Sequence, residues 1–479
     1  MINRIRSFIR TLLPKNTFAR SISVLVGGTA GAQLLTILAA PLITRLYSPD
    51  DFGLLSVYVS LLSLINVVSS LRYESAITLP EEDLDAANIT VLCLILVIIT
   101  VFLVGIILLI FGAPIAQILG VPRLADYFWL LPFGVLFSGV YTVFNYWGIR
   151  TKRFSTIAAT KLRQVIAALV IQLTAFKLGG IALLFGQIAR QGIGIISLAA
   201  PALAKPEFKQ VSLENIKKVT IRYQHFPRFS IWSALVNTAG QQLPPLMFAA
   251  FFTAGAAGLY AMAHRILAMP ASLISSALGN VFLSHAVDAR RENRLGRLYL
   301  KLQDTLIQIG LPPAMLFVVA GPDIFALIFS EEWRNAGVFA QWLAIANFAS
   351  FVVSPLSQIF IVLEKQKTGL ILQTILFTAR LFAIAIGIWN ESLMLTVALF
   401  SLASLFGYTL YLFMGAKYTS YNFSNIILSI LKSVFFSVIL IAPILASFFF
   451  PDRLSLYVAI VITISGILTR LVLIAAAFC

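Results

Sequence analysis

The sequence predicts an all-α polytopic membrane protein with about 14 transmembrane helices, arranged as two six-helix lobes in a parallel repeat plus two C-terminal helices. Of the 479 residues, 59% are hydrophobic and only 11% are charged, whereas a soluble domain is about 45–50% apolar and about 25% charged. The apolar residues form blocks close to the roughly 20 residues that a helix needs to cross a bilayer. Continuous runs such as Val91–Ile110 exclude a β-barrel, whose strands alternate apolar and polar residues.

Fourteen apolar blocks of spanning length cover the chain and leave almost nothing for a soluble domain. They begin near Ser21, Gly53, Asn88, Tyr127, Thr156, Gly180, Phe229, Gly255, Thr305, Ala336, Thr368, Ser392, Ile426 and Leu454. Residues 1–20 carry five Lys or Arg among apolar residues and predict a cytoplasmic amphipathic lead-in. Cys93 and Cys479 indicate no disulfide framework, since one lies in a predicted helix and the other is the last residue.

The basic residues of the connecting segments are distributed unequally between the two sides of the membrane. If the N-terminus is cytoplasmic, that side holds 23 Lys and Arg and the opposite side holds 5. The positive-inside rule therefore predicts that both termini are cytoplasmic, which requires an even number of helices. The net charge of +16 is then a topology signal. We expect no nucleic-acid partner, because no basic domain is present to bind one.

The two halves of the chain share short motifs, and matching motifs are separated by nearly the same number of residues. Residues Thr29–Leu34 (TAGAQL) resemble Thr238–Leu243 (TAGQQL), 209 residues later. Two further matches follow in the same order, namely Gly112–Ile115 with Gly321–Ile324, and Phe128–Leu130 with Gln341–Leu343. An even number of helices per repeat gives both halves the same orientation, as in transporters whose site lies at the repeat interface.

This repeat divides the chain into five predicted segments. The longest polar stretch, which separates the halves, is typical of an amphipathic helix at the headgroups with Phe208, Leu213, Ile216 and Val219 on one face. The segments are the lead-in 1–20, an N-lobe 21–203 with six helices, a cytoplasmic linker 204–228, a C-lobe 229–415 with six helices, and the last two helices 416–479.

Seven basic residues fall inside the predicted helices: Lys161, Arg163, Arg190, Arg265, Arg380, Lys432 and Arg470. Arg190, Arg265 and Arg380 lie deepest. An arginine at the bilayer centre costs about 2.5–3.5 kcal/mol on insertion scales, so these three must face a polar interior. No Asp or Glu lies at the same depth, which favours a mobile anion as partner. The alternative is that they brace helices by hydrogen bonds to carbonyls or to a carboxylate.

The other basic residues lie nearer to the cytoplasmic helix ends. Lys432 and Arg470 can extend to the headgroups. For Lys161 and Arg163, the same explanation and a role in lining a cavity both stay open, because Lys161, Gln164, Ala168 and Gln172 form a polar stripe at helical spacing.

Polar residues also occur at helical spacing on several other helices. We expect some of them to line a cavity that accepts sugar hydroxyls, with ordinary hydrogen bonds between helices as the alternative. The candidates are Gln33, Gln242, Asn66, Asn145 and Gln187.

Motifs for catalysis are absent from the sequence. His225, His264 and His285 are scattered, so no metal-ligand spacing occurs, and there is no Walker-type loop or nucleophile–base pairing. The external loops are too short for a transferase site. We therefore expect a protein that is not an enzyme and that needs no cofactor or metal.

Nearly the whole chain resembles the polysaccharide (O-antigen-type) flippases of the multidrug/oligosaccharidyl-lipid/polysaccharide exporter superfamily. Residues 42–53 (LITRLYSPDDFG) look like the first external loop of that family. Residues 259–270 (LYAMAHRILAMP) are similar to the eighth helix of lipid II flippases. The resemblance implies that Arg265 lines a central cavity and binds pyrophosphate. It does not extend to the arginines of the first two helices, where this chain has only Arg72 at a helix end.

We therefore expect a flippase that moves an undecaprenyl-pyrophosphate-linked oligosaccharide, such as an O-antigen repeat unit, across the bacterial inner membrane by alternating access. Arg265, Arg190, Arg380 and Arg163 are the candidate pyrophosphate ligands. The expected partners are membrane lipids, a polysaccharide polymerase and the chain-length machinery. One alternative is a cation-coupled multidrug exporter of the same superfamily, which requires a carboxylate in the membrane core. A membrane glycosyltransferase or polymerase is the other, and it requires a catalytic periplasmic loop.

Overall fold

The computed structural model of the chain describes residues 17–292, 294–419, 423–449 and 455–478. Within them, fourteen helices have 21 residues or more, and no strand is present. Most of the predicted lead-in 1–20, and Cys479, lie outside the described residues. The long helices are α1 (Thr17–Thr44), α2 (Pro49–Ser69), α3 (Asp83–Ile118), α4 (Leu130–Arg150), α5 (Phe154–Thr174), α6 (Gly180–Leu203), α7 (Ile231–Phe251), α8 (Ala254–Arg291), α9 (Leu295–Phe329), α10 (Arg334–Leu356), α11 (Gln366–Trp389), α12 (Leu393–Tyr418), α13 (Phe423–Phe449) and α14 (Leu456–Phe478).

Ten of these helices are long and apolar enough to cross a membrane by length and composition, in the part of the chain that the structure describes. In α14 the corresponding apolar stretch is shorter, Leu456–Arg470. The helices α4, α7 and α8 contain polar residues and prolines that lower their mean hydropathy. The chain is therefore a multi-pass helical membrane protein, and the predicted fold class is confirmed.

The third helix of each half is unusually long. Helix α3 has 36 residues and α9 has 35, which correspond to lengths of about 54 and 52 Å at 1.5 Å per residue. Since the hydrocarbon core is about 30 Å thick, both helices extend beyond it. For this reason α9 begins ten residues before Thr305, where its apolar block begins.

The chain forms two compact units, one ending at Gly258 and the other beginning at Leu259. Helix pairings in the first unit include α3 with α4, α4 with α6, and α5 with α6. In the second unit the pairings six helices later recur, namely α9 with α10, α10 with α12, and α11 with α12. Helix α7 packs on α2 within the first unit. The division into lobes 21–203 and 229–415 stays a prediction.

The loops repeat more exactly than the helix sequences do. A positive φ occurs at Lys152 (53°) and, 212 residues later, at Glu364 (58°). Lys152 follows the end of α4 by two residues, and Glu364 follows by two residues the short helix Ile359–Val362 that comes after α10. The same spacing relates Gly179 (65°) to Glu391 (52°), before the sixth helix of each half. Left-handed backbone is uncommon outside glycine. Its recurrence at one spacing therefore supports the internal repeat independently of sequence.

The linker between the two halves packs against the first unit. Its helix Leu213–Arg222 and the preceding turn place Phe208, Ile216 and Val219 against a core that includes Trp147. Leu213, in contrast, is 82% exposed. The prediction that all four apolar residues share one lipid-facing side is therefore wrong, because three of them bury their side chains against protein.

Arg150 fastens the end of α4 to the turn before α3. Its side chain is only 10% exposed and pairs with Asp83, with Nε to Oδ1 at 2.9 Å. The guanidinium also donates to the carbonyl of Pro80 at 2.6 Å. Lys205, from the linker, contacts the second oxygen of Asp83 at 3.4 Å. A planar group with five donors in a fixed fork can reach acceptors that lie apart, whereas the three donors of a lysine all lie on one nitrogen atom.

A strained residue follows α9. Ser330 has φ 104° and ψ 164°, a region occupied almost only by glycine and costing about 1–3 kcal/mol for other residues. At the same place after α3, the first half has Gly120 with φ 65°. We expect Ser330→Gly to raise the stability of the protein by about 1 kcal/mol or more. The measurement is thermal unfolding of the purified protein in detergent.

The matched controls use the same pair of positions. Ser330→Ala keeps the strain and should leave the unfolding temperature near that of the wild type. Gly120→Ser should lower it, because a Cβ atom there would overlap the carbonyl oxygen of Ala249. An unchanged unfolding temperature in Ser330→Gly would contradict the strain argument.

Candidate functional site

A polar stripe on α5 faces its neighbours in the first unit. Lys161 donates from Nζ to the hydroxyl of Thr29 on α1 at 3.0 Å. The two helices approach closely here, since a Cβ atom at Gly28 would lie 2.5 Å from the Cβ of Ala158. Lys161 is half-buried. The Lys161 side chain therefore lies in the interior of the unit and does not extend to the headgroups.

A second cation lies near Lys161. Arg190 on α6 interacts electrostatically with the Lys161 ammonium and with the hydroxyl of Tyr141 on α4. No ion pair between described residues includes Lys161 or Arg190. The Arg190 side chain has exposed surface even though protein atoms surround its charged end closely, so a ligand that enters this region can contact it. Two like charges without a carboxylate partner repel one another, and an anion between them would remove that repulsion.

The helices that carry these cations pack closely through glycine. On α6, a Cβ atom at Gly194 would overlap Nε2 of Gln164 and would lie 2.6 Å from the ring of Tyr141. Eight residues earlier, Gly186 packs against Gln172 on the same stripe of α5. Small residues allow membrane helices to approach. We call the group formed by Thr29, Tyr141, Lys161, Gln164 and Arg190 the cationic cluster.

Unsatisfied polar atoms occur in and beside the cationic cluster. Within the described residues, Gln33 Oε1 and Asn145 Oδ1 are buried and have no hydrogen-bond partner. Gln164 Nε2 is also buried, and its one neighbouring acceptor in the cluster is the hydroxyl of Tyr141, at a geometry outside the normal range for a hydrogen bond. Gln33 follows Thr29 by one turn of α1, and Asn145 follows Tyr141 by one turn of α4. A buried polar atom without a partner costs about 1–3 kcal/mol. A polar ligand that supplied the missing partners would recover part of that cost.

The remaining predicted polar candidates have different surroundings. Asn66 Oδ1 accepts from the hydroxyl of Ser138 at 3.2 Å and so connects α2 to α4. Gln242 Oε1 accepts from the hydroxyl of Ser60 at 3.0 Å and so connects α7 to α2. Gln187 is half-buried and precedes Arg190 by three residues, on the same side of α6. The first two therefore make the ordinary interhelical hydrogen bonds that were the alternative at sequence level.

Arg380, in the second unit, is held by neutral groups of α12. Its Nε donates to the hydroxyl of Ser404 at 2.8 Å, and its Nη2 donates to the hydroxyl of Tyr408 at 3.1 Å. The guanidinium carbon lies 5.2 Å from the ring centre of Phe400 and 5.4 Å from that of Tyr408. These contacts fit the bracing alternative, because two donors are bonded to the neighbouring helix and two of its rings lie close to the guanidinium.

The last two predicted arginines lie in separate places. Arg163 is exposed and donates to the hydroxyl of Ser197 on α6 at 3.2 Å. It lies two residues from Lys161 and so points away from the cationic cluster. Arg265 is exposed on α8 in the second unit. The structure thus brings Arg190 together with Lys161, which the sequence left undecided, and does not group Arg163 with them.

Several partners in these sites carry no signal in the sequence. Tyr141, Ser404 and Tyr408 are single polar residues in apolar helices, and their spacing does not show which helix they face. The one available signal was Gly194, which shares a helix face with Arg190 and marks a close approach. Within the described residues, no group of three His, Cys, Asp or Glu side chains could hold a metal ion.

The order and pairing of the helices give a fold that is shared with solved transporters of the multidrug/oligosaccharidyl-lipid/polysaccharide (MOP) superfamily. The chain superposes on the lipid II flippase MurJ in an inward closed conformation with a TM-score of 0.73 and 13% identity, covering 95% of this chain and 98% of that one. The chain also superposes on a multidrug resistance MATE family transporter of the MOP superfamily in an inward-facing conformation. The TM-score is 0.66 and the sequence identity is 15%, and the superposition covers 83% of this chain and 94% of that one. At these identities the likeness shows the fold alone.

The chain belongs to the family described as "polysaccharide biosynthesis protein", whose family model matches residues 42–338. Over 329 residues it is 23% identical to the succinoglycan biosynthesis transport protein ExoT of Rhizobium meliloti (strain 1021). The alignment covers 67% of this chain and 63% of that protein, so the chain spans less than two thirds of its relative's length. The predicted resemblance to MOP-superfamily polysaccharide flippases is confirmed. These relatives are transporters, and the prediction that the chain is not an enzyme is confirmed by them.

We expect Arg380→Lys to lower the stability of the protein by about 1–3 kcal/mol, because a lysine cannot bond both hydroxyls while stacking on two rings. Ser404→Ala should lower the stability by a smaller amount. The double variant Arg380→Lys/Ser404→Ala should lower it by less than the sum of the two single effects. Thermal unfolding of the four proteins gives this coupling. Arg163→Lys is the matched control and should have little effect, since its contact is exposed. Independent, additive effects at Arg380 and Ser404 would refute the bracing role.

Proposed function

We propose that the protein is a flippase that moves an undecaprenyl-pyrophosphate-linked oligosaccharide across the bacterial inner membrane by alternating access. The glycan is the repeat unit of a surface polysaccharide such as O-antigen. Membership in a polysaccharide biosynthesis family and the MOP fold support a transport role in that process. The charge distribution, with 23 basic residues against 5, supports cytoplasmic termini. In this orientation the linker helix and Arg150 lie on the cytoplasmic side.

The observation that carries this proposal is the cationic cluster. A pyrophosphate has several anionic oxygens, and Lys161 and Arg190 supply two cations that no described carboxylate neutralises. Arginine suits such oxygens because its planar fork can bind two of them at once. The unpartnered atoms of Gln33 and Asn145 lie one turn away from cluster residues on α1 and α4. They are suited to hydroxyls of the attached sugar.

The four arginines that the sequence predicts as pyrophosphate ligands have different roles in this proposal. Arg190, with Lys161, binds the pyrophosphate. Arg265 stays a candidate ligand, as the resemblance to lipid II flippases implies, and its exposed side chain supports access. Arg380 and Arg163 already bond hydroxyls of neighbouring helices. We therefore assign them to holding helix pairs together.

No step in this transport cycle requires a covalent bond to be made. Binding the diphosphate in the membrane replaces its hydration by fixed positive charge, and the prenyl tail stays in the hydrocarbon. Release on the far side follows when that face of the protein is hydrated again. A polysaccharide polymerase and chain-length machinery are the expected consumers of the product, and by removing it they would favour net transport.

We expect Arg190→Ala and Lys161→Ala each to lower transport at least about tenfold, because each leaves one cation to bind the diphosphate. The measurement is movement of a fluorescent polyprenyl-pyrophosphate-oligosaccharide across the membrane of proteoliposomes. Arg163→Ala is the matched control, since it removes a cation from α5 without touching the cluster, and it should transport like the wild type. The transport rate of Arg265→Ala should lie between that of the wild type and that of Arg190→Ala.

The outcomes separate the hypotheses. Equal transport by all variants would support the substrate and refute the cationic cluster as its site. Loss of transport in Arg163→Ala alone would indicate that a different face of α5 binds the ligand. If correctly inserted wild type moves no lipid-linked oligosaccharide but exports a cationic dye with an ion gradient, the multidrug exporter is the better description. Thermal unfolding of each variant checks that the protein is folded.

A further inference from the structure

A second polar cavity, of about 380 Å³, lies within the second unit among α9, α13 and α14. Its volume is within the range of about 300–1,000 Å³ that is usual for small-molecule sites. Charged and polar side chains from all three helices line it. On α9 they are Asp304 and Gln308, on α13 Ser429, Lys432 and Ser433, and on α14 Arg470. This cavity is separate from the cationic cluster, and no step of the proposed transport uses it.

The lining follows helical stripes. Leu300, Asp304 and Gln308 stand four residues apart on α9, and Leu428, Lys432 and Phe436 stand four residues apart on α13. Residues at this spacing lie on one helix face. The two stripes therefore form opposite walls, each with its charged residue flanked by neighbours one turn away.

The charges of the cavity are not paired with one another. Among the described residues, Asp304, Lys432 and Arg470 take part in no ion pair. Asp304 Oδ1 and Arg470 Nη1 are buried without a hydrogen-bond partner. The guanidinium of Arg470 stacks on Phe436, 5.1 Å from the ring centre, which fixes its position. A ligand that carries both a negative and a positive group can meet the two cations and the carboxylate of this lining at the same time.

The rim of the cavity indicates that this ligand is a lipid. Leu428 is 49% exposed and Phe436 is 53% exposed, and both belong to α13, which has further exposed apolar side chains such as Leu431 and Phe435. Asp304 lies about 14 Å along a helix about 52 Å long, which places it near the edge of the hydrocarbon core, where headgroups are found. Acyl chains can therefore lie on the apolar rim while a headgroup enters the cavity.

We propose that this cavity binds the headgroup of a zwitterionic phospholipid, phosphoethanolamine. The phosphate lies between Lys432 and Arg470, with the hydroxyls of Ser429 and Ser433 as further donors. The ammonium lies against the carboxylate of Asp304, with the Gln308 side chain beside it. This assignment gives each charged side chain of the cavity a neighbour of opposite sign, with Lys432 and Arg470 sharing the single negative charge of the phosphodiester. A phosphate without an ammonium would leave Asp304 facing an anion, which is unfavourable.

The test is native mass spectrometry of the full-length protein with phosphatidylethanolamine and phosphatidylglycerol of identical acyl chains. Wild type should retain phosphatidylethanolamine more tightly. The double variant Lys432→Gln/Arg470→Gln should bind it about tenfold more weakly. Asp304→Asn should weaken the binding of phosphatidylethanolamine by a similar factor. The binding of phosphatidylglycerol to this variant should be unchanged or tighter. The charge-matched control Lys417→Gln/Arg297→Gln removes two exposed cations outside the cavity and should bind both lipids like the wild type.

Three results would overturn the proposal. Equal retention of both lipids by the wild type would refute the role of Asp304, and so would an equal loss of both lipids in Asp304→Asn. Undiminished binding in Lys432→Gln/Arg470→Gln would refute the phosphate position. Stabilisation of the wild type by inorganic phosphate or free phosphoethanolamine to the extent given by the lipid would show that a soluble phosphate is the ligand. Because Lys161 and Arg190 are intact in every variant, failure here leaves the proposed transport function untouched.

Discussion

The hydrocarbon core of the bilayer contains no water to satisfy backbone amides, so each segment that crosses it must bond its own N–H and C=O groups. This constraint gives the fourteen long helices of the described chain. It then limits where charge can be placed. Outside the apolar blocks, cations find carboxylates, as Arg150 does with Asp83 and Arg334 with Asp323. Inside them, cations meet hydroxyls, rings or one another, and this difference defines both candidate ligand sites.

The two kinds of interior cation have different consequences. Arg380 is coordinated by Ser404 and Tyr408, so its charge stabilises one helix pair in one geometry. Lys161 has a single neutral acceptor, and Arg190 lies close to it with the same sign. The first arrangement is complete without a ligand, whereas the second gains free energy when an anion arrives. Transport requires the second kind, because a site must bind its cargo and then release it.

The architecture could be predicted from the sequence because runs of apolar residues determine it almost alone. The repeat was detectable in short motifs, of which Thr29–Leu34 with Thr238–Leu243 is the clearest. Side-chain partners could not be predicted, since the faces that two helices present to each other depend on their relative rotation. Thus the depth of Arg190 was evident, but its proximity to Lys161 was not. The cavity on α13 and α14 was missed because Lys432 and Arg470 lie near helix ends, where extension to headgroups explains a cation equally well.

The paired left-handed turns also bear on the history of the chain. At Gly179 and Glu391 the residues differ, yet the backbone angle φ is positive at both. Lipid imposes a similar composition on every membrane helix, so ancestral resemblance fades there quickly under substitution among apolar residues. Turn geometry is constrained differently, because it decides where the following helix begins. Traces of a duplication are therefore better preserved in the connections, and remote relatives of this protein are better recognised by the spacing of their turns than by the residues of their helices.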